Sequence, residues 1–361
     1  MSLSDPVVHE TTNSPMRERR SALKDDWLGA HSHPQVQPAY FDSKADCWIL
    51  SRYADVVAAL YSPELSLVGP SPKNGELIVD EDARLCMRLG TREALSSKVL
   101  RSVRREMLEE ARAQLATLHW EQPVDLIRDY AEPVCLALAL QVTQPSCKDI
   151  DSLRQWARQV SASSADPFEP ELKARSKAAS VALCPYFASG PMPLRESGFV
   201  ALSQTMVHLL GNVWFGLINH PEEWSRLHRQ PALIARGVEE LLRFAGLTRF
   251  VYRRAQADTM INGICIRHGE RLTLRIFAAN RDPDRFSNPN EVSVMRRGLG
   301  QVSLGAGRHA CVGAPLIRTA TLAATYTLVE RFPKVRLLSP ISWRGGDGFR
   351  SPASLPVVAS L

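Results

Sequence analysis

The sequence predicts a mainly α-helical protein with a minor β-sheet part. Three observations carry that expectation. Apolar residues recur at helical spacing through most of residues 82–219. Between Phe250 and Phe277 the pattern changes to short runs that read as strands, VYRRAQ, TMINGICI and ERLTLRIF, separated by polar or glycine-containing turns. A last helical stretch runs from near Val312 to about Arg331.

The elements follow in order. Residues 1–35 are polar, proline-containing and aperiodic, and read as a loose N-terminal arm. Residues 36–361 read as a single domain. Cys47 to Tyr53 (CWILSRY) suits a strand, and ADVVAALYS after it suits a helix. Asp55 sits near that helix start, where a carboxylate meets the positive end of the dipole. Gly69 to Gly75 (GPSPKNG) is dense in breakers and predicts a loop. Helical patterns cover about Asp82 to Leu115, Pro123 to Leu140 and Asp149 to Ser164. Ser189 to Ser197 breaks the pattern, and a strongly apolar helix follows from about Phe199 to Asn219. Pro221, with Glu222 and Glu223 behind it, is a good helix start, and Glu239 to Ala245 is helical again. Ala279 to Gly307 is mostly irregular.

Composition bounds the function classes. The 361 residues are 45% hydrophobic and 23% charged, enough apolar material for a large core. The formal charge is +6, but the basic clusters RSVRRE and RRGL carry no nucleic-acid motif, so no nucleic-acid partner is expected. Cys47, Cys86, Cys135, Cys147, Cys184, Cys265 and Cys311 show neither a CxxC pair nor zinc spacing. A disulfide framework is therefore not expected, and a reducing cytoplasm fits. Nowhere do about 20 apolar residues run together, so no membrane span or membrane partner is expected.

The strongest chemical signal is SLGAGRHACVGAPLIR, Ser303 to Arg318. Gly305 and Gly307 let the backbone turn tightly and approach a flat ligand closely. Cys311 then precedes a helix start at Gly313, where the dipole favours thiolate and backbone N–H groups can donate to the sulfur. A lone glycine loop with one cysteine would be read as an ordinary turn over a buried thiol. Here Gly305, Gly307, His309, Cys311, Gly313, Ala314, Pro315 and Arg318 fall in one register.

This run resembles the cysteine loop of the cytochrome P450 family, with Leu304 where that family usually has phenylalanine. The resemblance extends along most of the chain. EELLR supplies the family's glutamate-x-x-arginine motif as Glu240 and Arg243, which share a helix face. VYRRAQADTMINGICIRHGERL and AANRDPDRF are similar to the strand segment and turn that follow it. The resemblance implies a P450-like fold and one haem b with Cys311 as its iron ligand. It also implies propionate contacts from Arg253, His309, Arg88 and Arg84. Arg84 stands where the family has histidine, and two readings of it stay open, a carboxylate partner or part of a solvated basic face.

Two departures bear on chemistry. In ALSQTMVHLLGN, Thr205 keeps the hydroxyl that the family uses on the oxygen side, but Gln204 replaces the usual acid and Leu202 the usual glycine. An amide cannot donate and recover a proton as a carboxylic acid does. This fits substrate-assisted oxidation, radical coupling or a partly degenerate enzyme. The segments corresponding to the family's B–C and F–G–H regions are also short, which predicts a trimmed substrate lid. His208, three positions after Thr205, reads first as a satisfied helix histidine and second as a pocket residue.

Three function classes follow. The first is a haem-thiolate oxidoreductase, a monooxygenase or related catalyst of oxidative tailoring. It would act on a small or carrier-bound organic substrate with electrons from a separate ferredoxin or flavodoxin. The second is a haem-binding sensor, carrier or recruitment module with little turnover. The third is a haem-free scaffold, against which the retention of Cys311 argues.

Overall fold

The computed structural model describes residues 36–67, 81–167, 169–187, 195–298, 300–338, 341–346 and 348–360, without the side chains of residues 81–87. The arm expected at residues 1–35 and the loop expected at Gly69 to Gly75 lie outside the described residues. Val36–Leu361 forms one compact unit.

The first part of the chain builds a small sheet with one helix on it. Strands β1 (Tyr40–Asp42) and β2 (Cys47–Leu50) lead into α1 (Tyr53–Tyr61) and β3 (Leu65–Leu67). Helices α2 (Glu81–Ala94) and α3 (Ser97–Thr117) follow. The single helical pattern expected there is broken at Leu95 and Ser96, where the Ser96 hydroxyl accepts the Val99 N–H and caps α3. Strand β4 (Val124–Asp125) opens the stretch expected to be helix from Pro123, and α4 (Glu132–Thr143) completes it. Helices α5 (Ile150–Ala165) and α6 (Pro170–Leu183) come next.

A central helical rod then runs as α7 (Arg195–Val200), a π-helical turn at Ala201–Thr205 and α8 (Met206–Ile218). Every residue of α8 but His208 is buried, as an apolar helix without a polar stripe demands. It is followed by α9 (Pro221–Arg229) and α10 (Ile234–Ala245). Strands β5 (Phe250–Ala255), β6 (Thr259–Ile261), β7 (Ile264–Ile266) and β8 (Arg271–Arg275) match the strand-like run in the sequence. Helix α11 (Ala314–Arg331) starts two residues later than expected. Strands β9 (Lys334–Leu337), β10 (Trp343–Gly345), β11 (Arg350–Pro352) and β12 (Pro356–Ser360) end the described chain and were not foreseen.

The main sheet has the order β1-β2-β8-β5-β3. Only β2 and β8 pair in parallel; the other neighbours are antiparallel. Leu50, Leu65, Leu272 and Leu274 from this sheet pack with Val56, Ala59 and Leu60 of α1. The helical part is tied at its centre by Tyr130. Its ring stacks on Trp214 at 5.2 Å, and its hydroxyl lies 2.6 Å from Thr327 Oγ1 and donates to Ala324 O. Trp214 in turn donates to Thr325 Oγ1, so the rod and α11 are held by buried polar contacts as well as by packing.

Glu240 and Arg243, one helical turn apart on α10, form a fully buried bidentate pair at 2.8 and 2.9 Å. Arg243 also donates to the carbonyls of Asn280, Pro289 and Glu291. Glu240 accepts from Arg296 Nε and from the Ser293 N–H. A helix pair thereby holds the irregular segment 280–296, whose carbonyls have no ladder partners of their own. Loss of one buried partner leaves an uncompensated charge, so Glu240→Ala should lower stability in urea by about 3–5 kcal/mol. The exposed pair of Arg112 with Glu330 is the contrast, and Arg112→Ala should cost less than about 1 kcal/mol. Equal losses for the two variants would contradict the account.

Candidate functional site

The site grows from the loop between Val302 and α11. Two backbone bonds close the loop, Gly305 N–H to Val302 O at 2.9 Å and Cys311 N–H to Leu304 O at 2.7 Å. Gly305 and Gly307 have φ of +72° and +67°, which side-chain-bearing residues rarely adopt. Gly307 also runs so close to α1 that a Cβ would stand 2.4 Å from Leu60 O. Arg308 braces the same side by donating to the carbonyls of Pro63 and Leu65.

The loop is tied to the core from beneath. Ser303 Oγ donates to Leu242 O on α10 at 2.6 Å and accepts from Asn280 Nδ2 at 2.7 Å. Asn280 Oδ1 accepts the Val302 N–H at 2.8 Å. Thus α10 and the segment held by Glu240 and Arg243 fix where Cys311 stands.

Cys311 is half-buried, and the Gly313 N–H hydrogen-bonds its sulfur. Burial raises its pKa, and this outweighs the lowering by that N–H, by Arg88 and by Arg318. The sequence argument that the helix start favours thiolate is therefore right in sign but too small in size; a bound cation would have to supply the rest. Arg318 is itself paired with Glu239 at 2.5 Å.

Of the other expected cofactor contacts, Arg88 and His309 lie at this loop. Arg88, on α2, donates through Nη2 to Ala310 O. His309 lies in the short turn before the cysteine and accepts from Arg308 Nε at 3.1 Å. Arg253 is buried on β5, opposite Leu272 and Leu67, and donates to Tyr252 O. Strand β3 joins these two regions, since Arg308 reaches Leu65 and Leu67 pairs with Arg253. Arg84 is on α2, one turn before Arg88, with its side chain outside the described residues.

These residues suit a planar, anionic, metal-bearing cofactor. No group of three or more His, Cys, Asp or Glu among the described residues could hold a bare ion. One thiol in a glycine frame suits a metal whose other ligands come from a macrocycle. Gly313 borders the sulfur, since a Cβ there would lie 3.9 Å from it. Arg88, Arg253 and His309 are the right donors for carboxylates at such a ring's edge.

Thr205 and Gln204 sit together on the π turn of the central rod, both half-buried, where the Met206 N–H reaches Ala201 O. Leu202 and Ser203 beside them are buried. A π turn inserts one residue and reorients the side chains around it, and such turns are frequent at functional sites. Nothing in ALSQT marks it in advance.

Sequence reasoning missed a second layer. Hairpin β10–β11 packs on α8, and His208 Nδ1 lies 2.7 Å from Ser351 Oγ. The His208 ring faces Phe349 at 5.1 Å, so it is the satisfied helix histidine of the first reading. The hairpin tip reaches α5, with the N–H groups of Gly346 and Gly348 donating to Ala165 O at 3.2 and 2.9 Å.

Comparison with known proteins finds similarity to cytochrome P450s. The family model described as cytochrome P450 matches residues 232–335. A biotin biosynthesis cytochrome P450 of Bacillus subtilis (strain 168) is 38% identical over 160 residues, 44% of this chain and 40% of that protein. That match spans about two fifths of the relative's length. Nocardicin C N-oxygenase of Nocardia uniformis subsp. tsuyamanensis is 28% identical over 94% of this chain and 98% of its own. The solved structure of P450BioI with an acyl carrier protein bearing hexadec-9Z-enoic acid superposes with a TM-score of 0.83 at 24% identity. It covers 95% of this chain and 100% of that one.

Burial lowers the pKa of His208 from 6.5 to about 3, with a smaller push from Arg344. The folded protein keeps the imidazole neutral, while the unfolded chain protonates it near its ordinary value. Stability should therefore be complete above about pH 6.5 and fall as pH drops toward 3, by up to about 1.4 kcal/mol per pH unit. Urea unfolding of His208→Gln across this range should give a shallower slope than the parent protein; parallel slopes would contradict the assignment.

Proposed function

We propose that this chain, which belongs to the cytochrome P450 family, is a haem-thiolate oxidoreductase of oxidative tailoring. The observation that carries the reading is the cysteine loop. Cys311 stands in a glycine frame fixed by Ser303 and Asn280, with Arg88 against the loop.

In this reading the cofactor is haem b, held at its iron by Cys311. Arg88, Arg253, His309 and Arg84 hold its propionates. When bound, the haem supplies oxygen activation and oxidation of an organic molecule, with thiolate donation favouring O–O cleavage. The chain's own part is to bind, orient and deliver protons. Thr205 offers a hydroxyl that can hold and pass a proton. Gln204 can orient water through its amide but cannot ionise, so proton delivery depends on Thr205 and water.

The substrate is a small or carrier-bound organic molecule, and electrons come from a separate ferredoxin or flavodoxin. The N-oxygenase relative and the carrier-protein complex of P450BioI support that substrate range. No helix among the described residues is long and apolar enough to cross a membrane. We place the protein in the cytoplasm, acting as a single haem-binding domain over residues 36–361. Gln204 favours a second reading, a haem-binding protein with little turnover.

The two readings separate in one assay. Haem-loaded protein, supplied with a surrogate ferredoxin and its reductase, should consume O2 in step with NADPH. Thr205→Ala should divert most of those electrons to peroxide, about a tenfold or greater loss of product yield. Haem-loaded protein that passes all its electrons to peroxide and forms no oxidised organic product would favour the second reading.

A further inference from the structure

Hairpin β10–β11 holds an arginine with an enclosed, unpartnered Nε and no ion pair among the described residues. Residues directly opposite on an antiparallel pair share a face. Arg344 lies opposite Ser351, and Ser351 meets His208 one helical turn beyond Thr205. Arg344 therefore shares the hairpin face that Ser351 turns toward His208 on the central rod. Its charge also acts on His208.

The guanidinium is half-buried. Its Nε is enclosed without a hydrogen-bond partner, and no ion pair of Arg344 is found among the described residues. The two carboxylates that act on it at longer range are already engaged. Glu132 Oε2 is shared by Arg154 and Arg158, each at 3.4 Å. Asp125 accepts from the N–H groups of Ile127 and Leu355 and from Ser354 Oγ. Arg158 adds repulsion, and neutral His208 adds no negative charge. Enclosing part of a charge without a partner costs free energy unless something else supplies the counter-charge. Arg344 keeps an accessible edge, and its planar fork matches an oxyanion in two-point geometry.

We propose that Arg344 is the anion-recognition residue of the substrate site, pairing with a carboxylate or phosphate carried by the organic substrate. The inference rests on the reading of Thr205 as the reacting side. Its test measures binding, so the two can fail separately. The two oxyanions have different sources: a free acid presents a carboxylate, and a carrier-bound molecule presents the phosphate of its tether.

Calorimetric titration of the full haem-loaded chain decides the matter, using decanoate against methyl decanoate and decyl phosphate against decanol. One anion of the two should bind about tenfold or more tighter than its neutral counterpart. Arg344→Gln should abolish that preference and Arg344→Lys should keep part of it, while affinity for the neutral molecule stays unchanged in both. That unchanged affinity shows that the variants are folded. The anion preferred identifies the source. Equal binding of both anions and their neutral counterparts by the parent protein would overturn the proposal, as would an equal loss for anion and neutral molecule in Arg344→Gln. Haem-loaded protein that shows the Arg344-dependent preference but forms no oxidised product with the surrogate redox partner would sink the oxidoreductase reading and leave this one standing.

Discussion

The rest of the structure depends on the buried ion pair of Glu240 and Arg243. Two charged side chains taken wholly out of water persist only if every polar atom is answered. Here the answers come from outside the helix: three carbonyls for Arg243, and Arg296 with the Ser293 N–H for Glu240. A segment with almost no regular structure is thereby given one conformation. Asn280, at the start of that segment, then bonds to Ser303 and Val302 at the foot of the cysteine loop. The position of Cys311 is thus set by a chain of hydrogen bonds that begins on α10.

The loop itself shows how burial and local dipoles compete. The Gly313 N–H and the arginines at 88 and 318 all favour a charged sulfur. Desolvation works against them and wins. A thiol whose burial favours the protonated form, held in a glycine-framed loop, is suited to a partner that brings its own positive charge. The same competition recurs at His208, where burial keeps an imidazole neutral, and at Arg344, where burial lowers the pKa against the pull of Glu132 and Asp125.

Much of this was legible in the sequence because it rests on local pattern. Glu240 and Arg243 share a helix face at a spacing of three, and Gly305 and Gly307 carry the positive φ that their residue type permits. The strands between Phe250 and Phe277 follow from their own composition. What stayed hidden depends on contacts between distant segments. Leu95 and Ser96 break a helix without glycine or proline, through a serine cap. The π turn at Ala201–Thr205 has no local signal. Strands β9 to β12 are three to five residues long, too short for a period to register. Arg344 looks like any surface arginine until β10 pairs with β11 and Ser351 meets His208.

The claim on which the account turns is that Cys311 presents a thiolate to haem iron. The direct measurement is the absorption spectrum of the reduced protein with carbon monoxide, for the parent chain and for Cys311→Ser, each purified with haem available. The account predicts a red-shifted Soret band in the parent protein that the serine variant loses. No haem spectrum in the parent protein, or a red-shifted band that survives in Cys311→Ser, would contradict it.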